Sequence, residues 1–254
     1  MVILASDALA GGGPAIWFLA ALIVLVAGYV QGFTGMGFAV VSTPLLVLLV
    51  RQPHQVVMLS LVLGAILSAA VLVETRKGLR PGRSGWLIGG AVAGTPVGVV
   101  VLSHAAPRVL TVFIAATALV TAVTWLISPP RPVRHEATAT AVAGLFGGFL
   151  NGATSMGGPP LALVVSMQRW RVVEGRAALA AFNLTSYLVG LATGMTRADT
   201  GFVVHGLILM PLGALGGVAG AWSVHRMPGH RFRFALLATV WLAGLSALAS
   251  AFRS

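Results

Sequence analysis

The chain is written in long apolar runs separated by short polar gaps. Apolar residues dominate positions 16–50, 55–73, 85–103, 109–127, 137–167, 177–195, 201–223 and 232–252, and nearly all charged residues fall between them. A helix needs about 20 apolar residues to cross the hydrocarbon core of a bilayer. Helices are the expected form, because no water is present there to satisfy backbone N–H and C=O groups. The pattern predicts an all-α polytopic membrane protein. Trp17, Trp86, Trp125, Trp170, Trp222 and Trp241 lie mostly near run ends, where indole rings anchor helices at the membrane surface.

Two runs have the wrong length for single spans. Positions 16–50 and 137–167 cover 35 and 31 residues, too long for one crossing and short for two. Each is interrupted by glycine and polar residues, QGFTGMGF at 31–38 and NGATSMGGPP at 151–160. Glycine weakens a helix interior, and the pair Pro159–Pro160 belongs at a break or a first turn. Each long run reads as a hairpin of two short helices joined by an unwound tip.

The tips also match one another. A shift of 120 positions lays Gly28 on Gly148, Gln31 on Asn151, Gly32 on Gly152, Thr34 on Thr154, Met36 on Met156, Gly37 on Gly157 and Arg51 on Arg171. A shift of 123 aligns GAVAGTPVG at 90–98 with GALGGVAGA at 213–221, and Arg108 with Arg231. The chain therefore reads as an internal duplication within one integral membrane domain. Residues 1–130 carry the hairpin 16–50 and spans 55–74, 85–103 and 108–127. Residues 131–254 carry the hairpin 137–167 and spans 176–195, 201–223 and 232–252.

Composition and charge sharpen this picture. The chain is 57% hydrophobic and 8% charged, with no cysteine, whereas a soluble domain carries roughly 25% charged residues. That excludes soluble globular, disordered and disulfide-stapled classes. The net charge of +11, from 16 Lys+Arg against 5 Asp+Glu, is also what a nucleic-acid binder would show. Here, however, the cations sit in gaps between apolar runs, where they meet a membrane surface, so lipid and no nucleic acid is the expected partner. If each broken run returns to its own side and the N-terminus lies outside, 12 of the 16 cations are cytoplasmic and 4 external. Single crossings would give 8 and 8. The positive-inside rule selects the hairpins. Each half then adds three spans, an odd number, so the second is inverted relative to the first. Both termini are expected outside, in a bacterial inner membrane. The first fifteen residues do not read as a signal peptide, because no Lys or Arg precedes their short apolar stretch.

This inverted-repeat plan places a binding site where two broken helices meet near the midplane. The second hairpin arms, starting near Phe38 and Pro160, would aim helix N-termini at the shared centre, which favours an anion. Gln31, Gly32, Thr34, Gly35, Met36 and Gly37 form the first half of the candidate site. Asn151, Gly152, Thr154, Ser155, Met156, Gly157 and Gly158 form the second, with Asn183 added from the run at 177–195. The expected cradle uses neutral donors and no buried Lys or Arg. Met36 and Met156 also read as gap-fillers, and Asn183 equally as interhelical glue. Arg51 and Arg171, repeat partners near hairpin ends, are candidates for attracting the anion to the mouth. The small-residue stretches 90–98 and 213–221 read as packing seams.

Catalytic patterns are absent from the sequence. Ser155 with His205 as base suggests a serine hydrolase, but the elbow G-x-S-x-G is missing. No HExxH, paired intramembrane carboxylates or Walker pattern occurs, so no enzyme activity, cofactor or metal is expected. All five acids, Asp7, Glu74, Glu136, Glu174 and Asp199, lie at or near run ends. The coupling ion, H⁺ or Na⁺, and homo-oligomerisation stay open.

At the two tips the sequence resembles the TauE/SafE family of sulfite exporters and organosulfur permeases. The resemblance rests on AGYVQGFTGMGFAVVSTPLLVLL at 27–49 and GGFLNGATSMGGPPLALVVS at 147–166, and it extends over both halves. Phe38 stands where that family's pattern usually has a further glycine. The resemblance implies secondary transport, with export the expected direction, of small sulfur anions such as sulfite, sulfoacetate or other organosulfonates. A permease for another small anion, such as a carboxylate, and a non-transport intramembrane protein remain as alternatives.

Overall fold

The computed structural model describes residues 13–126, 135–168, 170–194 and 201–224. Among these, every regular element is helical: α1 (Gly13–Thr34), α2 (Phe38–Val50), α3 (Pro53–Thr75), a 3-10 turn at Arg76–Gly78, α4 (Pro81–His104), α5 (Pro107–Leu126), α6 (Glu136–Thr154), α7 (Gly158–Met167), α8 (Val172–Gly194) and α9 (Gly201–Ser223). The span expected at 232–252, with Trp241, lies outside the described residues. Five of the described helices are long and apolar enough to cross a membrane: α1, α3, α4, α8 and α9.

Proline marks several starts. Pro53 and Pro81 open α3 and α4 at the first turn, where a missing N–H costs no intrahelical bond. The breaks are narrower than the sequence suggests. QGFT at 31–34 and NGAT at 151–154 stay helical, and only residues 35–37 and 155–157 leave the helix. Gly35 (φ 82°) and Ser155 (φ 59°) turn left-handed and end α1 and α6. The hairpins are consequently lopsided rather than paired short helices. The first arms have 22 and 19 residues, the second arms 13 and 10. At 1.5 Å per residue, α2 and α7 reach only about 20 and 15 Å, too short for a hydrocarbon core of about 30 Å.

Glycines inside the first arms serve contact instead of breaking the helix. In lipid the hydrophobic effect does not drive helices together, so close backbone packing must. α1 lies along α9, and α6 lies along α4. Gly28 and Gly32 face Gly213 and Gly217 so closely that a β-carbon on either would overlap a carbonyl oxygen. In the second seam a β-carbon on Gly94 would stand 2.9 Å from Phe149 N, and one on Gly98 2.8 Å from Ala153 N. The small residues at 90–98 and 213–221 are therefore packing seams, each clamping the broken helix of the other half of the chain.

α3 and α8 fill the centre, mostly buried, while α1, α4 and α9 turn much of their surface outward. They run antiparallel: Glu74 meets Arg176, Gly64 meets Tyr187 and Met58 meets Gly194. The outer faces carry large apolar side chains such as Phe18, Val97, Val100, Leu215, Val218 and Trp222, each more than half exposed. A water-facing surface would not present so many, and a lipid-facing one must. At one end, Arg80 just before α4 and Arg83 in its first turn pair with Glu174 (3.3 Å) and Glu136 (3.0 Å), and Trp170 Nε1 donates to Glu136 (2.9 Å).

The seam yields a paired prediction. Gly94→Ala should destabilise the protein by about 1–3 kcal/mol, because backbone atoms cannot move aside. Gly89→Ala, on the same helix with no atom within 4 Å of the added carbon, should stay within about 1 kcal/mol of zero, on the stabilising side. Apparent melting temperatures in detergent measure both, and equal shifts would refute the seam.

Candidate functional site

Each tip is closed by its own side chains. At the first, the Phe38 N–H donates to Gln31 Oε1 (3.1 Å), and the Met36 N–H donates to Thr34 Oγ1 (3.2 Å). At the second, the Gly157 N–H donates to Asn151 Oδ1 (3.1 Å), and the Met156 N–H donates to Thr154 Oγ1 (3.3 Å). The Thr34 and Thr154 hydroxyls in turn donate to Val30 O and Leu150 O, one helical turn back. The repeat-matched amide and threonine thus do the same work in both halves: they accept bonds from N–H groups that the break releases. The amide oxygens and the threonine hydroxyls are spent on the tip backbone, which leaves the amide N–H groups of Gln31 and Asn151 as the donors that can reach elsewhere.

The amide nitrogens differ. Gln31 Nε2 donates to Ser68 Oγ on α3 (3.0 Å), whereas Asn151 Nδ2 is buried without a partner. Asn183 on α8 is buried as well, and its Oδ1 has none. The antiparallel register puts Asn183 at the level of Ser68, beside which Gln31 stands. Unpaired buried polar atoms are costly, so these two amides mark places where a polar guest gains most.

The tips meet. Met36 and Gly158 are so close that a β-carbon on Gly158 would stand 3.1 Å from Met36 Sδ. Ser155 Oγ lies 2.7 Å from Thr43 Oγ1 on α2, which donates to Ser60 Oγ on α3 (3.0 Å). Gly32, Gly37, Gly152 and Gly157 are buried with them. Met36 and Met156 each sit in an apolar cluster, Met36 with Leu161, Leu179 and Phe182, and Met156 with Phe38, Leu61 and Ile114. Thr95 and Ser186 bond α4 to α8 (2.6 Å). Arg51 and Arg171 are exposed, one just after α2 and the other just before α8. His205 packs edge-on against Trp17 (5.4 Å between ring centroids), so the hydroxyl of Ser155 is engaged by threonine and not by that histidine.

One expectation is corrected. The cradle expected to lack a buried Lys or Arg has Arg176 at its edge, with only 6% of its side chain exposed. Nη1 and Nη2 take the two oxygens of Glu74 at 3.0 and 3.1 Å, and Nη2 also donates to Gly32 O at 2.7 Å. Gly35 packs directly on the Arg176 backbone: a β-carbon there would lie 2.9 Å from the Arg176 α-carbon. From charge placement Arg176 reads only as one of the cytoplasmic cations. The usable signal was compositional. Arg176 opens the stretch RAALAAFN, whose small side chains let α8 sink into the core and carry the arginine in with it. Thr43, Ser60 and Ser68 likewise bury hydroxyls, and in the sequence each shows only as a polar residue interrupting an apolar run.

Removing the tip acceptors should rank in a set order. Asn151→Leu leaves the Gly157 N–H unpaired and should cost about 1–3 kcal/mol. Gln31→Leu strands both the Phe38 N–H and Ser68, and should melt lower still. A Gln31→Leu variant as stable as the parent would contradict the brace.

Comparison with curated proteins and with solved structures gives no match. A family model described as sulfite exporter TauE/SafE matches residues 20–247, nearly the whole chain and both tips. With its five span-length apolar helices and its paired broken hairpins, the chain belongs to the TauE/SafE sulfite exporter family.

Proposed function

We propose that this multi-pass membrane protein is a secondary transporter of small sulfur-containing anions, sulfite, sulfoacetate or another organosulfonate, which it exports by alternating access around the two hairpin tips. The family implies a membrane transporter of sulfite and organosulfur anions; cargo, direction and mechanism are our reading. The observation that carries it is the meeting of two self-braced helix breaks in the interior, with an unpaired buried donor, Asn151 Nδ2, on the second of them. Such breaks are tolerated at membrane depth only where protein or a cavity surrounds them. The N-termini of α2 and α7 converge there, and helix N-termini favour anions.

Halves 1–130 and 131–254 are read as inverted repeats. Support comes from the antiparallel run of α3 and α8, which occupy equivalent places in the two halves, and from the exchanged packing of α1 on α9 and α6 on α4. In this reading the termini lie outside a bacterial inner membrane, Arg51 and Arg171 attract anions at the mouths, and the protein catalyses no covalent step. Interlocked seams would let each broken helix move with the opposite half, which is how rocking about a fixed site proceeds in inverted-repeat transporters.

In proteoliposomes, labelled sulfite should exchange down its gradient and be competed by organosulfonates more strongly than by acetate. Preference for acetate would replace the sulfur anion by a carboxylate, and no anion flux would remove the transport reading. Asn183→Leu distinguishes contact from glue. Deleting an unsatisfied polar atom should leave the melting temperature within a few degrees, while a substrate contact makes flux fall about tenfold or more. Unchanged flux would take Asn183 out of the site.

A further inference from the structure

The pair of Arg176 and Glu74 is unequal in a way that a structural ion pair need not be. Arg176 is almost fully buried, while the Glu74 side chain is 42% exposed. The cation is the fixed, interior member, and the acid is the one that water can reach. Glu74 lies at the end of α3, next to the 3-10 turn at Arg76–Gly78, on the side of the pair that faces outward. Arg176 is held from within by Gly32 O and by the packing of Gly35 on its backbone.

The guanidinium edge is also filled in a telling manner. Nη1 and Nη2 grip both oxygens of one carboxylate, the two-pronged geometry by which arginine recognises planar and tetrahedral oxyanions alike. Nε is buried with no acceptor, so the group keeps a donor in reserve. A buried guanidinium stripped of its carboxylate partner is costly. Release of Glu74 is therefore favourable only when another anion takes its place, and an anion reaches Nη1 and Nη2 only by displacing Glu74.

We propose that Arg176 receives the oxyanion group of the substrate, and that Glu74 is its resident stand-in, occupying the fork when no substrate is bound. This rests on the small-anion transport reading above and adds to it a charged ligand outside the two tip sequences. The class it selects is an anion with two or more oxygens on one centre, as in sulfite and sulfonates. The same exchange touches the gate. Nη2 holds Gly32 O two residues before the helix ends, so an anion that draws the guanidinium also pulls on the first tip. Asn183 stands two turns further along α8, which offers a second polar contact on the way inward.

The test uses purified full-length protein in nanodiscs, with sulfite as the probe. Glu74→Gln removes the competitor and should tighten sulfite binding about tenfold, the equivalent of roughly one lost charge pair. Arg176→Lys keeps the charge but loses the fork, and should weaken binding at least as much. The double variant Glu74→Gln/Arg176→Gln leaves two neutral amides that can still bond each other and Gly32 O. It should fold, with a melting temperature near that of the parent, and should bind no sulfite. A double variant that binds sulfite as the parent does, or a Glu74→Gln variant that binds it more weakly, overturns the proposal. Labelled sulfite flux in matched proteoliposomes keeps the two ideas apart. Flux that ignores position 176 sinks this pair and leaves the transporter standing. Binding governed by positions 74 and 176 without any flux upholds the pair and sinks the transporter.

Discussion

A helix that stops inside an apolar interior releases N–H and C=O groups that no water can satisfy, and everything distinctive in this protein answers that constraint. Where α1 and α6 end, the chain supplies an amide oxygen and a hydroxyl from the preceding turn: Gln31 and Thr34 at the first tip, Asn151 and Thr154 at the second. These braces shorten each break to three residues, and the first tip lies against the start of α7, Met36 on Gly158. A polar centre in such a place exists only because its own backbone is already paid for. What is left over is a donor on Asn151 and an acceptor on Asn183, both buried and unpaired.

The second requirement is cohesion without a hydrophobic driving force between helices. Glycine meets it by bringing backbones into contact along two seams, α1 on α9 and α4 on α6. Each seam joins one half of the chain to the other, so neither half has a complete wall of its own. The broken helices are thereby anchored on the opposite half, while α3 and α8 cross antiparallel at the core. Motion of one seam against the other would carry the tips with it.

Charge follows the same economy. Among the described residues the interior holds few ionisable groups, and the arginine buried beside a tip, Arg176, is held by an acid and a backbone carbonyl. The exposed pairs at Arg80 and Arg83 contribute little apiece, since solvent screens them; they tie helix ends together rather than hold the core.

The apolar runs alone determined the helical membrane class, because spanning lipid leaves the chain no other way to satisfy its backbone. The pairing of glycine, amide and threonine at a constant shift of 120 residues located both breaks and paired Gln31 with Asn151. Sequence could not decide which glycines break a helix and which press it against a neighbour, since Gly28, Gly32 and Gly35 look alike in one dimension. Only the presence of α9 opposite the first two, and of Arg176 beside the third, separates them. It could not bury Arg176 either: charge counting sees a cation in a gap, and the depth of that gap is set by how far the small face of α8 sinks toward α3. The tertiary structure decided these points because each depends on a contact between residues more than a hundred positions apart, while the runs and repeats depend only on order along the chain.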